Sequence, residues 1–190
     1  IAYPYCWKEC EVLDNGPLRF TAKLVYNPLV IKGDSNVVET RVISLDKGSQ
    51  LNKTVISYTD LKEVTPIVAG IVIHKENPTG YSFDSNAGYI AYADSTQNPR
   101  NNNGVIYVGA VFPASLNAAK AQLFPEAERK EHGGALGHVL GISDYEPGTE
   151  YVYYWGSGWS KYGFAADTEW TKYLENFAQQ VRNPLTVTVK

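Results

Sequence analysis

Leu18-Arg19-Phe20-Thr21-Ala22-Lys23-Leu24-Val25-Tyr26 decides the fold. Leu18, Phe20, Ala22, Leu24 and Tyr26 fall on one side of an extended chain, and Arg19, Thr21, Lys23 and Val25 on the other. That two-residue period is the mark of a strand half buried in a sheet. Immediately before it, Asp14-Asn15-Gly16-Pro17 supplies turn chemistry, because Asn-Gly tolerates positive φ and proline cannot donate to a ladder. A hairpin from Trp7 to Tyr26 is therefore predicted. Working outward, Val37 to Leu45 and Gln50 to Thr59 make a second pair, reversed at Asp46-Lys47-Gly48-Ser49. Pro66 to Lys75, Gly88 to Ala93, Val105 to Phe112, Ala135 to Ser143 and Thr149 to Trp155 read as further strands, separated by Gly, Pro and Asn clusters. Short strands spaced in this way predict an all-β, antiparallel β-sandwich.

One helix of any length interrupts the pattern. It opens with Asp167 as N-cap and carries Trp170, Leu174, Phe177 and Val181 on one face. Asn183-Pro184 stops it, since proline excludes helical dihedrals from its predecessor, and Leu185 to Val189 is expected to resume as a closing strand. Leu116 to Lys130 is rich in alanine and charge and is broken by Pro125, so it reads at best as a short helix leading into a linker. No internal repeat or domain boundary is visible, and residues 1–190 are expected to form one β-sandwich domain.

Composition bounds the rest. With 190 residues, 44% hydrophobic and 19% charged, the chain is long enough to bury a core without disulfide or metal staples. A formal net charge of -3, with cations dispersed among anions, leaves no basic stripe for a phosphate backbone, so nucleic acid is not an expected partner. The longest apolar runs, such as Ile67 to Ile73, are too short to cross a bilayer as a helix, and no stretch of the chain reads as a signal sequence, so a processed or excerpted chain is expected. The chain opens at Ile1 within what reads as a strand and contains no methionine, which suggests a fragment of a longer polypeptide. Cys6 and Cys10, four apart on a straight strand, would have Cα atoms roughly 13 Å apart. That is too far for a mutual disulfide. They read as buried free thiols, with a bond to other sequence or across a bend as the alternative.

Signatures of several enzyme classes are missing: there is no phosphate-cradling Gly-x-x-x-x-Gly-Lys, no dinucleotide fingerprint and no Gly-x-Ser-x-Gly elbow. His132 and His138 are six apart around two glycines and His74 is remote, which matches no common zinc spacing; no metal and no cofactor are expected. The densest aromatic stretch is Tyr151-Val152-Tyr153-Tyr154-Trp155-Gly156-Ser157-Gly158-Trp159, read as a strand ending in a glycine-flanked turn. Flat apolar rings beside hydroxyls suit sugars, because a pyranose offers C–H groups to the ring face and hydroxyls at its rim. Trp155, Trp159 and Tyr153 are the candidate saccharide contacts, with Tyr154 beside them; equally, alternate members such as Tyr151 and Tyr153 are placed to fill the core. The excess of 14 Tyr over 6 Phe leans toward binding, since each buried phenol needs a partner.

Arg41 is a candidate for holding a uronate carboxylate bidentately, against its reading as an ordinary surface charge. His74, at a strand end beside Lys75, and His138, on a strand whose other face carries Gly137 and Gly141, are candidate proton-transfer groups together with Tyr154. For His138 the competing reading is a satisfied core imidazole. Asp84, Asp94, Glu131, Asp144 and Glu146 sit at strand ends where a hydrolase cleft would place its two carboxylates, but sequence does not pair them. The Asn98 to Gly104 loop reads as a solvated hairpin connection.

Three stretches carry a resemblance: Val12-Leu13-Asp14-Asn15-Gly16-Pro17-Leu18-Arg19, Ile43-Ser44-Leu45-Asp46-Lys47-Gly48-Ser49-Gln50-Leu51, and Tyr153-Tyr154-Trp155-Gly156-Ser157-Gly158-Trp159. Together they resemble the C-terminal half of the bacterial domain of unknown function 4861 family, with Gly70-Ile71-Val72 and Gly137-His138-Val139-Leu140 in weaker support. The resemblance implies a supersandwich-like β-sandwich similar to galactose mutarotases and polysaccharide lyases, and an exported, periplasmic or extracellular protein of polysaccharide degradation. It assigns no catalytic residues. Because the family domain is about twice as long, an absent N-terminal half is an expected partner. The functional expectation is recognition of a uronate-rich, pectin-like poly- or oligosaccharide. The alternatives are a catalytic domain (uronate lyase, glycoside hydrolase or sugar epimerase) moving a proton between a His and a Tyr, and a structural interaction module.

Overall fold

A computed structural model of the chain describes residues 3–4, 6–95 and 99–188. The described residues form twelve strands and one α-helix: β1 (Trp7–Asn15), β2 (Arg19–Tyr26), β3 (Leu29–Ile31), β4 (Asp34–Asp46), β5 (Leu51–Thr59), β6 (Thr65–Ile73), β7 (Tyr81–Asp84), β8 (Tyr89–Ser95), β9 (Val105–Val111), β10 (Ala118–Leu123), β11 (Gly137–Tyr145), β12 (Tyr151–Trp159) and α1 (Asp167–Arg182). The architecture is the predicted all-β antiparallel sandwich with a single C-terminal helix. The chain divides into two compact units, one of residues 1–67 and 144–155, the other of residues 68–143 and 156–190.

In the first unit the strand order is β1-β2-β4-β5 followed by Tyr151–Trp155 of β12, with β3 pairing β4. The Trp7 to Tyr26 hairpin forms as predicted, and Gly16 N–H donates to Arg19 O at its turn. Cross-strand register sets the faces. Leu24 stands opposite Arg41, Ala22 opposite Ile43 and Phe20 opposite Leu45. On the other side of β4, Glu39 stands opposite Tyr58, Arg41 opposite Ile56 and Ile43 opposite Thr54. Because paired residues share a sheet face, these side chains line one surface. Val37, Leu29, Leu51 and Ile56 are buried, whereas Val12, Phe20 and Leu45 remain exposed. Edge strand β1 is exposed along its whole length. Cys6 and Cys10 are accordingly free and exposed, which corrects the expectation of buried thiols.

The second unit is layered. Gly156–Trp159 of β12, then β9, β8 and β7, make one sheet; β10, β11 and β6 make a second. Phe112 packs against Gly141 of β11, where a Cβ would lie 2.6 Å from the ring, so only glycine admits that phenyl between the sheets. On the opposite face of β9, Leu174 and Trp170 of α1 press on Gly109. Trp170, Leu174 and Ala178, spaced by four, are the buried stripe of the helix. The helix begins at Asp167 with Ala166 as N-cap, one residue earlier than predicted. At its other end Arg182 donates to the carbonyls of Pro113, Asn86 and Phe112, tying the last turn to the sheet.

Three further expectations are corrected. The stretch read as a short helix holds strand β10, and beyond it only a one-turn 3-10 helix at Glu126–Glu128. Its Ala118 to Leu123 segment pairs with Ile142 to Gly137, and ladder formation overrides the helix preference of alanine. β12 continues through Gly156 and Gly158 to Trp159, so the supposed turn is strand; Gly158 is kept bare by the Phe164 ring, 2.6 Å from where a Cβ would sit. No strand follows α1 among the described residues: Leu185 and Val187 are almost fully exposed, and Val189, like Ile1, lies outside the described residues.

Candidate functional site

In the first unit, alternation along β4 aims Glu39 and Arg41 to the same side. Glu39 is 1% exposed, an expensive place for a carboxylate unless it is paired. Both its oxygens are used: Arg41 donates through Nε to Oε1, and the Tyr58 hydroxyl donates to Oε2 at 2.8 Å. The guanidinium rests over the Tyr26 ring, Cζ being 5.1 Å from the centroid, a cation–π contact. Burial pulls the Arg41 pKa down, but the charge and hydrogen bond of Glu39 outweigh it and hold it above the ordinary value. Burial, followed by the Glu39 charge, pushes the Tyr58 phenol far up, so it remains a donor. Tyr58 in turn meets Tyr145 edge-on at 4.9 Å, and its backbone N–H donates to the Tyr145 hydroxyl.

Two strands away the aromatic run of β12 is fastened to the same surface. Thr54, completely buried, accepts a hydrogen bond of 2.7 Å from Trp155 Nε1 and shares another with the Tyr153 phenol. The Tyr153 pKa is raised by burial, against the opposing pull of Arg41. Trp155 stays 40% exposed even though its N–H is already committed, so its ring is fixed in orientation. Among the described residues, Arg41 Nη1 and Nη2 carry no hydrogen bond. The surface thus combines an immobilised indole, two phenols that stay protonated, and a guanidinium with its outer fork unspent.

Of the residues singled out in the sequence, Arg41, Tyr153 and Trp155 are brought to this one face. Tyr154 occupies the alternate position on β12, where burial and then Asp46 raise its pKa. Trp159 belongs to the second unit; its Nε1 donates to Asn103 O at 2.7 Å, and its ring lies beside Gly104 of the hairpin connection joining β8 to β9. His74, also in the second unit, follows β6: its Nδ1 lies 3.0 Å from Asp94 Oδ1 and its backbone N–H donates to the Tyr92 hydroxyl. The imidazole is 45% exposed. His138 points away from the Gly137, Val139 and Gly141 face of β11. There it meets the Phe124 ring edge-on at 5.2 Å, and Phe124 stacks on His132 at 3.9 Å. Burial, then the His132 charge, lowers the His138 pKa and keeps it neutral near pH 7. Among the described residues no hydrogen bond or ring contact joins His74, His138 and Trp159 to one another, and no group of three metal-ligating side chains occurs.

Glu39, Tyr58, Thr54 and Tyr26 do not stand out in the sequence. The one available signal is the Glu39-x-Arg41 spacing, which on a strand puts an acid and a base side by side.

An antiparallel sandwich with a sheet face that carries phenols, a half-exposed indole and a fixed guanidinium defines the class of this molecule. The chain belongs to the family described as domain of unknown function (DUF4861), whose model matches residues 1–187. No curated protein and no solved structure matches it.

Proposed function

We propose that the chain recognises carbohydrate, at the first-unit face formed by Trp155, Tyr153 and Arg41, and that its ligand is a uronate-rich, pectin-like glycan handled outside the bacterial cytoplasm. The observation that carries this reading is the pairing of a half-exposed, orientation-locked indole with a guanidinium whose outer nitrogens are unspent. A sugar ring stacks its C–H face on the indole while a ring carboxylate meets the fork of Arg41, a planar match that lysine does not reproduce. Titration of acidic oligogalacturonides against their neutral, methyl-esterified counterparts tests it. Trp155→Ala is expected to weaken both ligands, and Arg41→Lys to weaken the acidic one selectively. Equal affinities of the Trp155→Ala variant and the parent would sink the proposal.

A second reading, catalysis by proton transfer, is favoured by the His74–Asp94 pair. A carboxylate on Nδ1 orients the ring and leaves Nε2 as the basic nitrogen. Lyase action would appear as the ultraviolet absorbance of an unsaturated product from acidic polysaccharide, abolished in His74→Ala; no absorbance across a broad glycan panel removes it.

A further inference from the structure

The second unit contains a cleft that the proposed glycan face does not use. Helix α1 lies over β9, where Leu174 and Trp170 meet Gly109, and reaches β8, whose Ala91 and Ala93 are buried; between the first half of α1 and edge strand β7 a cleft remains. The resulting cavity has a volume of about 500 Å³, within the roughly 300–1000 Å³ of small-molecule sites. Register explains its floor. Ala91 stands opposite Gly109, Ala93 opposite Tyr107 and Ser82 opposite Ala91, so a row of small side chains faces the gap. Thr171 and Glu175 of α1 form the wall, and the Thr171 and Ser82 hydroxyls approach to 3.4 Å.

At the end of this floor stands Tyr107, 4% exposed. Its phenol has no hydrogen-bond partner among the described residues, although it lines the cavity. A buried phenol that borders a cavity and makes no hydrogen bond within the chain is open to a group from outside it. Asp167 and Glu175 outnumber Lys172 in the lining, and the charges of Asp167 and Glu169 reach Tyr107, so the cleft is net negative and an anion is repelled. Hydroxyls around an apolar floor remain as the recognition chemistry.

We infer that the α1–β7–β8 cleft binds a neutral polyol the size of one sugar ring, its C–H face on Ala91 and Ala93 and its hydroxyls toward Tyr107, Ser82, Thr171 and Glu175. This site is independent of the Trp155 face and carries no acidic-sugar preference.

The test is a titration of the whole chain with neutral monosaccharides (glucose, galactose, mannose, xylose, arabinose and rhamnose), followed by amide chemical shifts. At least one is expected to bind saturably, with shifts concentrated on β7, β8 and the first half of α1. Tyr107→Phe should unfold at the parent temperature or above, because no protein hydrogen bond is lost, while binding falls about tenfold. Ala93→Leu, filling the floor, should abolish binding with the circular dichroism unchanged; should that variant unfold, Thr171→Val serves in its place with the same expected loss. Trp155→Ala should bind the monosaccharide like the parent, which separates failure here from failure of the glycan-face reading. Absence of saturable binding across the panel, undiminished binding in Tyr107→Phe, or a lowered melting temperature in that variant overturns the inference.

Discussion

Replacing Arg41 by methionine strands a carboxylate. In the parent, Glu39 is buried with two partners, one ionic through Arg41 and one neutral through Tyr58. Breaking a buried pair by removing one member typically costs about 3–5 kcal/mol, much of it the penalty of leaving the other charge desolvated. Glu39 keeps the Tyr58 hydrogen bond, and methionine retains contact with the Tyr26 ring, so the lower end applies, about 3 kcal/mol. For a chain of this length that corresponds to a fall in Tm of roughly 6–12 °C. Thermal unfolding followed by far-ultraviolet circular dichroism measures it. The companion variant Glu39→Gln removes the charge, keeps one acceptor oxygen and turns the other into an amide donor. In the double variant the two losses are expected not to add, with a coupling of about 2 kcal/mol, as for residues in one buried network. A loss below about 1 kcal/mol for Arg41→Met, or strict additivity in the cycle, would refute the account: Glu39 would then be hydrated, and the guanidinium would not be held in place for a ligand.

Thr54→Val removes the acceptor of the Trp155 indole N–H and one hydrogen bond of the Tyr153 phenol. A loss of about 1–3 kcal/mol is expected, together with a changed Trp emission maximum; unchanged emission means the indole is not anchored there. Asp94→Asn is expected to change the tautomer balance of His74, read from its ring ¹⁵N shifts, while leaving those of His138 alone; equal response of both rings contradicts the pairing. Gly141→Ala drives a Cβ to 2.6 Å from Phe112, which is flanked by β-sheet on both sides, and overpacking of this kind costs about 1–3 kcal/mol. The same substitution at Gly148, where nothing lies within reach but φ is +79°, should cost less, so a larger loss at Gly148 than at Gly141 would count against the inter-sheet packing.

Alternation made the first two hairpins legible, because each has a two-residue apolar period closed by a glycine turn, and local chemistry alone fixes such a unit. The helix was legible for a similar reason, its apolar stripe being strong, though Ala178 takes the buried place that Phe177 was expected to hold. What escaped reading was set by distant sequence. Ala118 to Leu123 has helical composition and becomes strand only because Gly137 to Ile142 offers it a ladder. Gly156 and Gly158 look like turn residues and are strand residues, their bareness at Gly158 explained by the Phe164 ring. Among site candidates, Trp155, Tyr153 and Arg41 were visible as individual chemistries. Their common face follows from register between β4, β5 and β12, which no local pattern encodes.

Exposure along that face is uneven, Glu39, Thr54 and Ile56 being buried and Trp155 half exposed. Beside Trp155 the same surface continues through Ile43, Leu45, Phe20 and Val12, and Phe20, Leu45 and Val12 are exposed. Exposed apolar side chains clustered on one sheet face mark a contact surface. Chemistry changes along the patch. At the β1–β2 turn it is aliphatic with a single phenyl ring, lacking the hydroxyls a sugar needs, while the other end of β1 sets exposed Trp7 opposite Tyr26; toward β12 every ring is either a phenol or an indole with its N–H already satisfied, and a guanidinium stands among them. Aliphatic surface discriminates poorly between hydroxylated ligands, whereas a fixed fork and a fixed ring discriminate by shape and charge. Saccharide selectivity therefore belongs to the β4–β5–β12 end, and truncation of Phe20 or Leu45 is expected to leave the acidic-over-neutral preference intact while Arg41→Lys erases it. Ligand titrations on those variants decide the matter, and loss of preference in the Phe20 variant would move the site toward β1.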